Sequence, residues 1–314
     1  MRRLAPHFLA LILALVFAKP LGATELSHIC WEPSCLLEEA IPLIEPTKQD
    51  WGDGRIAKAA ATSLASLGRL PEALNLARSI KDDGGRSAAR AMGRIAVAEQ
   101  RAGDIEKSKL IVDEAVRMLD RIDPDDPFHP PVGDSYISVA CDLVVMGRTV
   151  DALALVRRVA SRQPEYFLSE ALSQIAAVDH RNGNREVAKN ILVADFKVTL
   201  RIVDETHRVL GLIAIVHGWL DMDSPESALQ AALSIQPNPD HYSTGLAVDA
   251  KTERNVALED ICHWYELHAE YKAALSTVRS ISAPLPMAAA IGDLTAVLVR
   301  DKKAAGQIGI LNAS

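Results

Sequence analysis

The residues of this chain that could carry chemistry are its histidines, a crowded acidic loop and four cysteines. His217 and His263 stand six residues before Asp223 and Ala269, two positions that are equivalent in the chain, and His180 lies one equivalent segment earlier. Neutral imidazole ligates metals well and titrates near neutrality, so a metal site or a pH-sensing pair is the chemistry such residues could perform. A structural metal needs about four ligands at close range, and neither histidine stands in an HExxH or Cys–His signature. We therefore expect half-buried histidines and no metal. Asp123, Asp125, Asp126, His129 and Asp134 crowd one loop. Their oxygens suit a hard cation, but the spacing is not that of an EF-hand and prolines interrupt it, so a solvated acidic loop is expected. Cys30 and Cys35 are close enough to form a local disulfide in an oxidising compartment, and CWEPSC is neither a haem nor a thioredoxin signature. Cys141 and Cys262 are expected to be buried thiols, not bonded to each other. Nucleophile-elbow, phosphate-binding glycine-loop and zinc-protease motifs are absent, so we expect no catalytic residue, no cofactor and no enzymatic activity.

The elements that must position these residues are helices. Hydrophobic residues make up 49% of the 314 residues and aromatics only 4%, so the apolar content is mostly Ala, Leu, Ile and Val, a composition that suits closely packed helices. Arg55 to Ile80 reads as two helices joined at Gly68, and the pattern returns. Gly68 precedes Ala73 by five residues, as Gly103 precedes Ser108, Gly147 Ala152 and Gly183 Ala188. Asp223 before Ala228 and Ala269 before Ala274 continue the series without the glycine, and a weaker last turn is expected near Arg300. Intervals of 35, 44, 36, 40 and 46 residues signal a helical array. Eleven, eight and seven residues before each turn stand apolar side chains, such as Met92, Ile95 and Ala96, which form one stripe on a helix. Insertions at Ile122–Asp134 and Gln236–Lys251, rich in Pro, Gly and Asp, read as loops.

This pattern of a large residue, a large–small pair, Gly, Ala and a closing Pro (Pro164, Pro286) resembles the tetratricopeptide repeat over residues 53–307. The resemblance implies an all-α, right-handed α-solenoid of about six to seven helical hairpins. It also implies that each first helix lines a concave groove at positions thirteen, ten, six, three and two before the turn. Those positions hold Arg55, Lys58, Arg90, Gln100 and Arg101, then Glu170, His180, Arg181, His217, Asp221, Glu259, His263 and Glu266. The groove would be basic toward its N-terminal end and mixed, with histidines, toward the other. Such a surface would meet a carboxylate or an acidic peptide.

Residues 1–23 read as a signal peptide. Arg2 and Arg3 precede an apolar run, Phe8 to Ala18, too short for a membrane span, and the cut is expected after Ala23. An uncleaved anchor is the alternative. Residues 24–52 read as a cap on the first repeat and 308–314 as a tail. Cleavage would remove three positive charges and no acid, taking the formal charge from −7 to −10, a poor balance for nucleic acid. The function expected is a periplasmic or secreted adaptor that binds another protein or a peptide. A structural part of a cell-envelope or secretion assembly is the alternative, and an enzyme acting on cell-wall material comes last.

Overall fold

Six tight turns organise the chain in the computed structural model, which describes residues 53–80, 85–122, 132–236, 250–282 and 284–311. Each turn ends a helix with one residue in the left-handed region: Gly68, Gly103, Gly147 and Gly183, and also the non-glycines Asp223 (φ 53°) and Ala269 (φ 59°). The hydrogen bonding is the same at all six. The residue after the turn residue donates its N–H to the carbonyl five positions back, as Arg69 does to Leu64 and Glu270 to Tyr265, at 2.8–3.0 Å. The turn residue donates to the carbonyl three back. This double bond is the Schellman cap, which satisfies carbonyls that a helix end would otherwise strand.

The small residue five positions after each turn makes the bond that opens the next helix's four-back ladder. Ala73, Ser108, Ala152, Ala188, Ala228 and Ala274 each donate to the carbonyl four back, and all are fully buried. A larger side chain has no room there. Ser108 is tolerated because its hydroxyl finds the Met146 sulfur at 3.0 Å.

Among the described residues there are thirteen α-helices and no strand. They are α1 (Asp53–Ser66), α2 (Leu70–Ser79), α3 (Arg86–Arg101), α4 (Ile105–Asp120), α5 (Gly133–Val145), α6 (Thr149–Ala160), α7 (Phe167–Arg181), α8 (Arg185–Thr199), α9 (Glu205–Leu220), α10 (Pro225–Leu233), α11 (Ala250–Leu267), α12 (Tyr271–Val278) and α13 (Pro284–Leu311). The protein is all-α. The chain divides into two compact units at Leu155/Val156, inside α6.

In the first unit α1 packs on α3 and α3 on α5, while α2 lies against α1 and α3, and α4 against α3 and α5. In the second unit α7 packs on α9, α9 on α11 and α11 on α13, with α8, α10 and α12 each wedged between two successive first helices. The stripe foreseen on the first helices is the core. Ala60, Ile95, Val139, Ile175, Ile215 and Ile261 are all fully buried, and so are Ala61, Ala96, Ala140, Ala176 and Val216. Each such isoleucine contributes about 1.5–3 kcal/mol by leaving water.

Three sequence expectations need correction. The turn near Arg300 does not exist, because α13 runs unbroken from Pro284 to Leu311. The stretch Val299–Ala305 holds neither Gly nor Pro to end a helix, and Tyr271 of α12 hydrogen-bonds Asp301 beyond the supposed turn. The insertions are shorter than read, because Gly133 and Asp134 already belong to α5, and Ala250 and Lys251 to α11. Cys141 is half-buried, whereas Cys262 is buried as expected. Residues 1–52, with the signal segment, Cys30 and Cys35, lie outside the described residues, as do Asp123, Asp125, Asp126 and His129.

Candidate functional site

In the first unit the charged face is built on α1, α3 and α5. Its centre is Asp142, five residues before the Gly147 turn, on a first helix where Ser135 is the other fully buried polar residue. Asp142 is fully buried, and neither carboxylate oxygen has a hydrogen-bond partner among the described residues. The Arg94 guanidinium approaches Oδ1 to 3.1 Å, an ionic contact without hydrogen-bond geometry. Burial pushes the Asp142 carboxyl up to about 7, against the opposing pull of Arg94, Lys58 and Arg101. Its room exists because α3 carries Gly93 opposite, where a Cβ would lie 2.5 Å from Asp142 Oδ2.

Around this carboxylate the cations are half-buried Lys58, half-exposed Arg94 and exposed Arg101. Arg90 Nε donates to Ser135 Oγ at 2.9 Å, which ties α3 to α5. Gln100 donates to the Met146 carbonyl at 2.6 Å, so its amide stitches α3 to the end of α5 instead of lying open. Asp134, exposed on α5, is a second acid at a groove position. Arg55 lies in the first turn of α1, at a place where side chains are not described.

Sequence reasoning missed Arg94 and Asp142. Both fall outside the offsets carried by the repeat resemblance, nine and five residues before their turns. The available signal was Asp142 itself: an acid amid Val139, Ala140, Leu143 and Val144 needs a cation nearby.

In the second unit the corresponding face is on α7, α9 and α11. His217 Nε2 lies 3.0 Å from Asp260 Oδ2 of α11. A carboxylate only accepts, so the imidazole donates, and this hydrogen bond holds the His217 pKa above its ordinary value. His263 Nδ1 is 3.6 Å from Glu266 of its own helix. Glu266 is nine-tenths buried rather than open to the face, and it accepts from the Cys262 thiol at 3.5 Å. That carboxylate adds to desolvation, the larger cause, in driving the Cys262 thiol up to about 12, so it is no nucleophile. His180 is half-buried with its Nδ1 lacking a hydrogen-bond partner among the described residues, and Arg181 is exposed. His217 and His263 are exposed rather than half-buried as expected, each beside a carboxylate, and no group of three metal-ligating side chains occurs among the described residues.

A cleft of about 320 Å³ opens on this face between α7 and α9, lined by Tyr166, Glu170, Ser173, Gln174, Leu210, Ile213, Ala214, His217, Gly218 and Asp221. A close helix approach sets its floor. Gly218 faces Ser173, where a Cβ would meet the hydroxyl oxygen at 3.1 Å, and Gly211 faces Ser169 and Thr199. Behind it Ser169 donates to the buried Asp195 of α8 at 3.1 Å, and burial pushes that carboxyl up to about 7.

Neither a family model nor a curated protein matches this chain. Among solved structures, the crystal structure of Ton1535 from Thermococcus onnurineus NA1 is 13% identical over 84% of this chain and 85% of that one, with a TM-score of 0.32. A superposition that loose carries no argument about this protein.

Proposed function

We propose that the protein is an exported, tetratricopeptide-like adaptor whose first helices form a groove for another protein or a peptide, the basic part of which takes an acidic segment. The observation that carries this reading is the cluster of Lys58, Arg94 and Arg101 around the buried Asp142, with Arg90 held by Ser135 about two turns away on the same pair of helices. Arg94 and Arg101 are exposed, and exposed guanidinium groups on rigid helices suit carboxylate recognition. The reading also takes the hairpins to continue as one right-handed solenoid and residues 1–23 to direct export.

The test is fluorescence anisotropy with a labelled Glu-rich decapeptide at 50 mM salt. The mature chain should bind it, and Lys58→Glu/Arg101→Glu, with helical circular dichroism intact, should weaken binding at least tenfold. Equal binding by both proteins would remove the basic face from the function.

A second reading, a structural part of an envelope assembly, would draw on large apolar side chains exposed on second helices. Leu110 is 65% exposed on α4, Val150 80% on α6 and Val198 54% on α8. Exposed apolar surface marks partner contacts when it is contiguous. A Leu110→Glu variant that loses co-purifying partners while keeping the acidic peptide would support this alternative.

A further inference from the structure

We propose that the outward face of α13 is a self-association surface, on which the same helix of a second copy of this chain lies antiparallel about a two-fold axis. This goes beyond the acidic-segment reading and stands on the second unit alone.

The face is the open end of a packing series. α9 lies between α7 and α11, and α11 between α9 and α13, whereas α13 packs on α11 and α12 and is the last described element. Its buried residues, Ala290 and Leu294, face the core. The terminal helix of such an array stays soluble by turning polar residues outward. α13 does not: from Met287 to Val299 its only polar side chains are Asp293 and Thr295. Ile291 is 43% exposed, Leu298 42% and Val299 50%. With exposed Ala288, Gly292 and Thr295 they recur at spacings of three and four, which makes one continuous face rather than scattered single residues. A Cβ at Gly292 would meet nothing within 4 Å, so a second helix has room to approach there. A contiguous exposed apolar face of this kind marks a partner surface.

Charge selects the occupant and its direction. Asp293 and Arg300 are both exposed and lie seven residues apart, so about two helical turns bring them to the same edge of the face. Laid antiparallel about the midpoint between them, two copies set Asp293 of each opposite Arg300 of the other. The two contacts are identical, as a two-fold interface requires. A parallel pair would set like charges together. The surroundings of Asp293 are acidic: burial, and then the charges of Asp260 and Asp293, raise the carboxyl of Glu259 on α11. The other end is basic in sequence, with Lys302 and Lys303 following Arg300. Arg300 meets its neighbour Asp301 through Nε at 3.3 Å, which leaves its terminal nitrogens for a second carboxylate.

The experiment is sedimentation equilibrium of the mature chain at low salt over roughly 1–200 µM, because one helix pair is a small interface and a reversible dimer is expected. The mass should rise to that of two chains. Val299→Glu should weaken association at least tenfold by charging the apolar face. Arg300→Glu should do the same, because it places two like-charge contacts in the interface. Asp293→Arg/Arg300→Glu exchanges the charges and should restore association to within about threefold of the parent. Each variant is checked by circular dichroism, and acidic-peptide binding is measured beside it, so that failure of the basic-face reading and failure of this one are told apart. A monomer at every concentration would overturn the proposal, as would growth beyond two chains, which marks head-to-tail packing. A dimer indifferent to Val299→Glu would overturn the face, and a dimer lost in Arg300→Glu but not regained in the exchanged pair would overturn the antiparallel arrangement.

Discussion

At the scale of single residues, the turn positions decide what the backbone tolerates. Asp223 and Ala269 adopt the left-handed conformation that glycine takes at the four other turns. That conformation costs an L-residue roughly 1–2 kcal/mol, and glycine's extra freedom in the unfolded chain recovers part of it. Ala269→Gly is therefore expected to stabilise the protein by about 0.5–1 kcal/mol, and Gly147→Ala to destabilise it by about 1–2 kcal/mol. Urea titration followed by circular dichroism checks both, and a loss of stability in Ala269→Gly would mean that the cap is not strained. These turns were legible without their glycines, because the buried alanine five residues on keeps its spacing when the glycine is replaced. Arg94 and Asp142 were not legible. Their pairing crosses between two repeats, and the repeat resemblance marks positions within one repeat only.

At the scale of elements, glycine on a first helix sets how closely its neighbour can lie. A Cβ at Gly211 would fall 2.8 Å from the Thr199 methyl of α8 and 3.2 Å from the Ser169 hydroxyl of α7. Thr199 and Ser169 are held in the hydrogen-bonded cluster around Asp195, so neither can turn away without breaking a bond. Gly211→Ala should destabilise the second unit by about 1–3 kcal/mol through overpacking. Thermal unfolding measures the loss. Hydrogen exchange places it, with faster exchange expected in α7–α9 and none in α1–α4. The hairpins themselves were readable from periodicity, because apolar side chains recur on one face of each helix. The end of the array was not. Arg300 follows Ala269 by 31 residues, less than any other interval. An interval alone cannot stop a helix, and α13 continues through residues that favour helix.

At the scale of the whole molecule, composition was enough to foresee closely packed helices, whereas two aspartates buried in that packing set how stability responds to pH. Burial pushes Asp142, in the first unit, and Asp195, in the second, up to about 7 from an ordinary value of 3.8. Between about pH 4 and pH 7 the folded chain therefore holds protons that the unfolded chain has released, and stability must fall as pH rises through that window. The His217 imidazole, raised by Asp260, adds in the same direction, since its contribution is present below its ordinary value and is lost as pH rises through the folded one. The lowered carboxyls of Glu72, Asp104, Glu114 and Asp301 act oppositely, but they lie at or near the surface, where solvent and salt screen them. The melting temperature is thus expected to be several degrees higher near pH 5 than near pH 8, opposite to a protein whose carboxylates are mostly paired. Asp142→Asn/Asp195→Asn should flatten the profile, because an amide does not titrate and carries no charge to bury. A parent profile that rises between pH 5 and pH 8 would show that both carboxylates are ionised in the fold at no net cost. The cations around Asp142 would then neutralise it fully, leaving that face less positive than the acidic-segment reading requires.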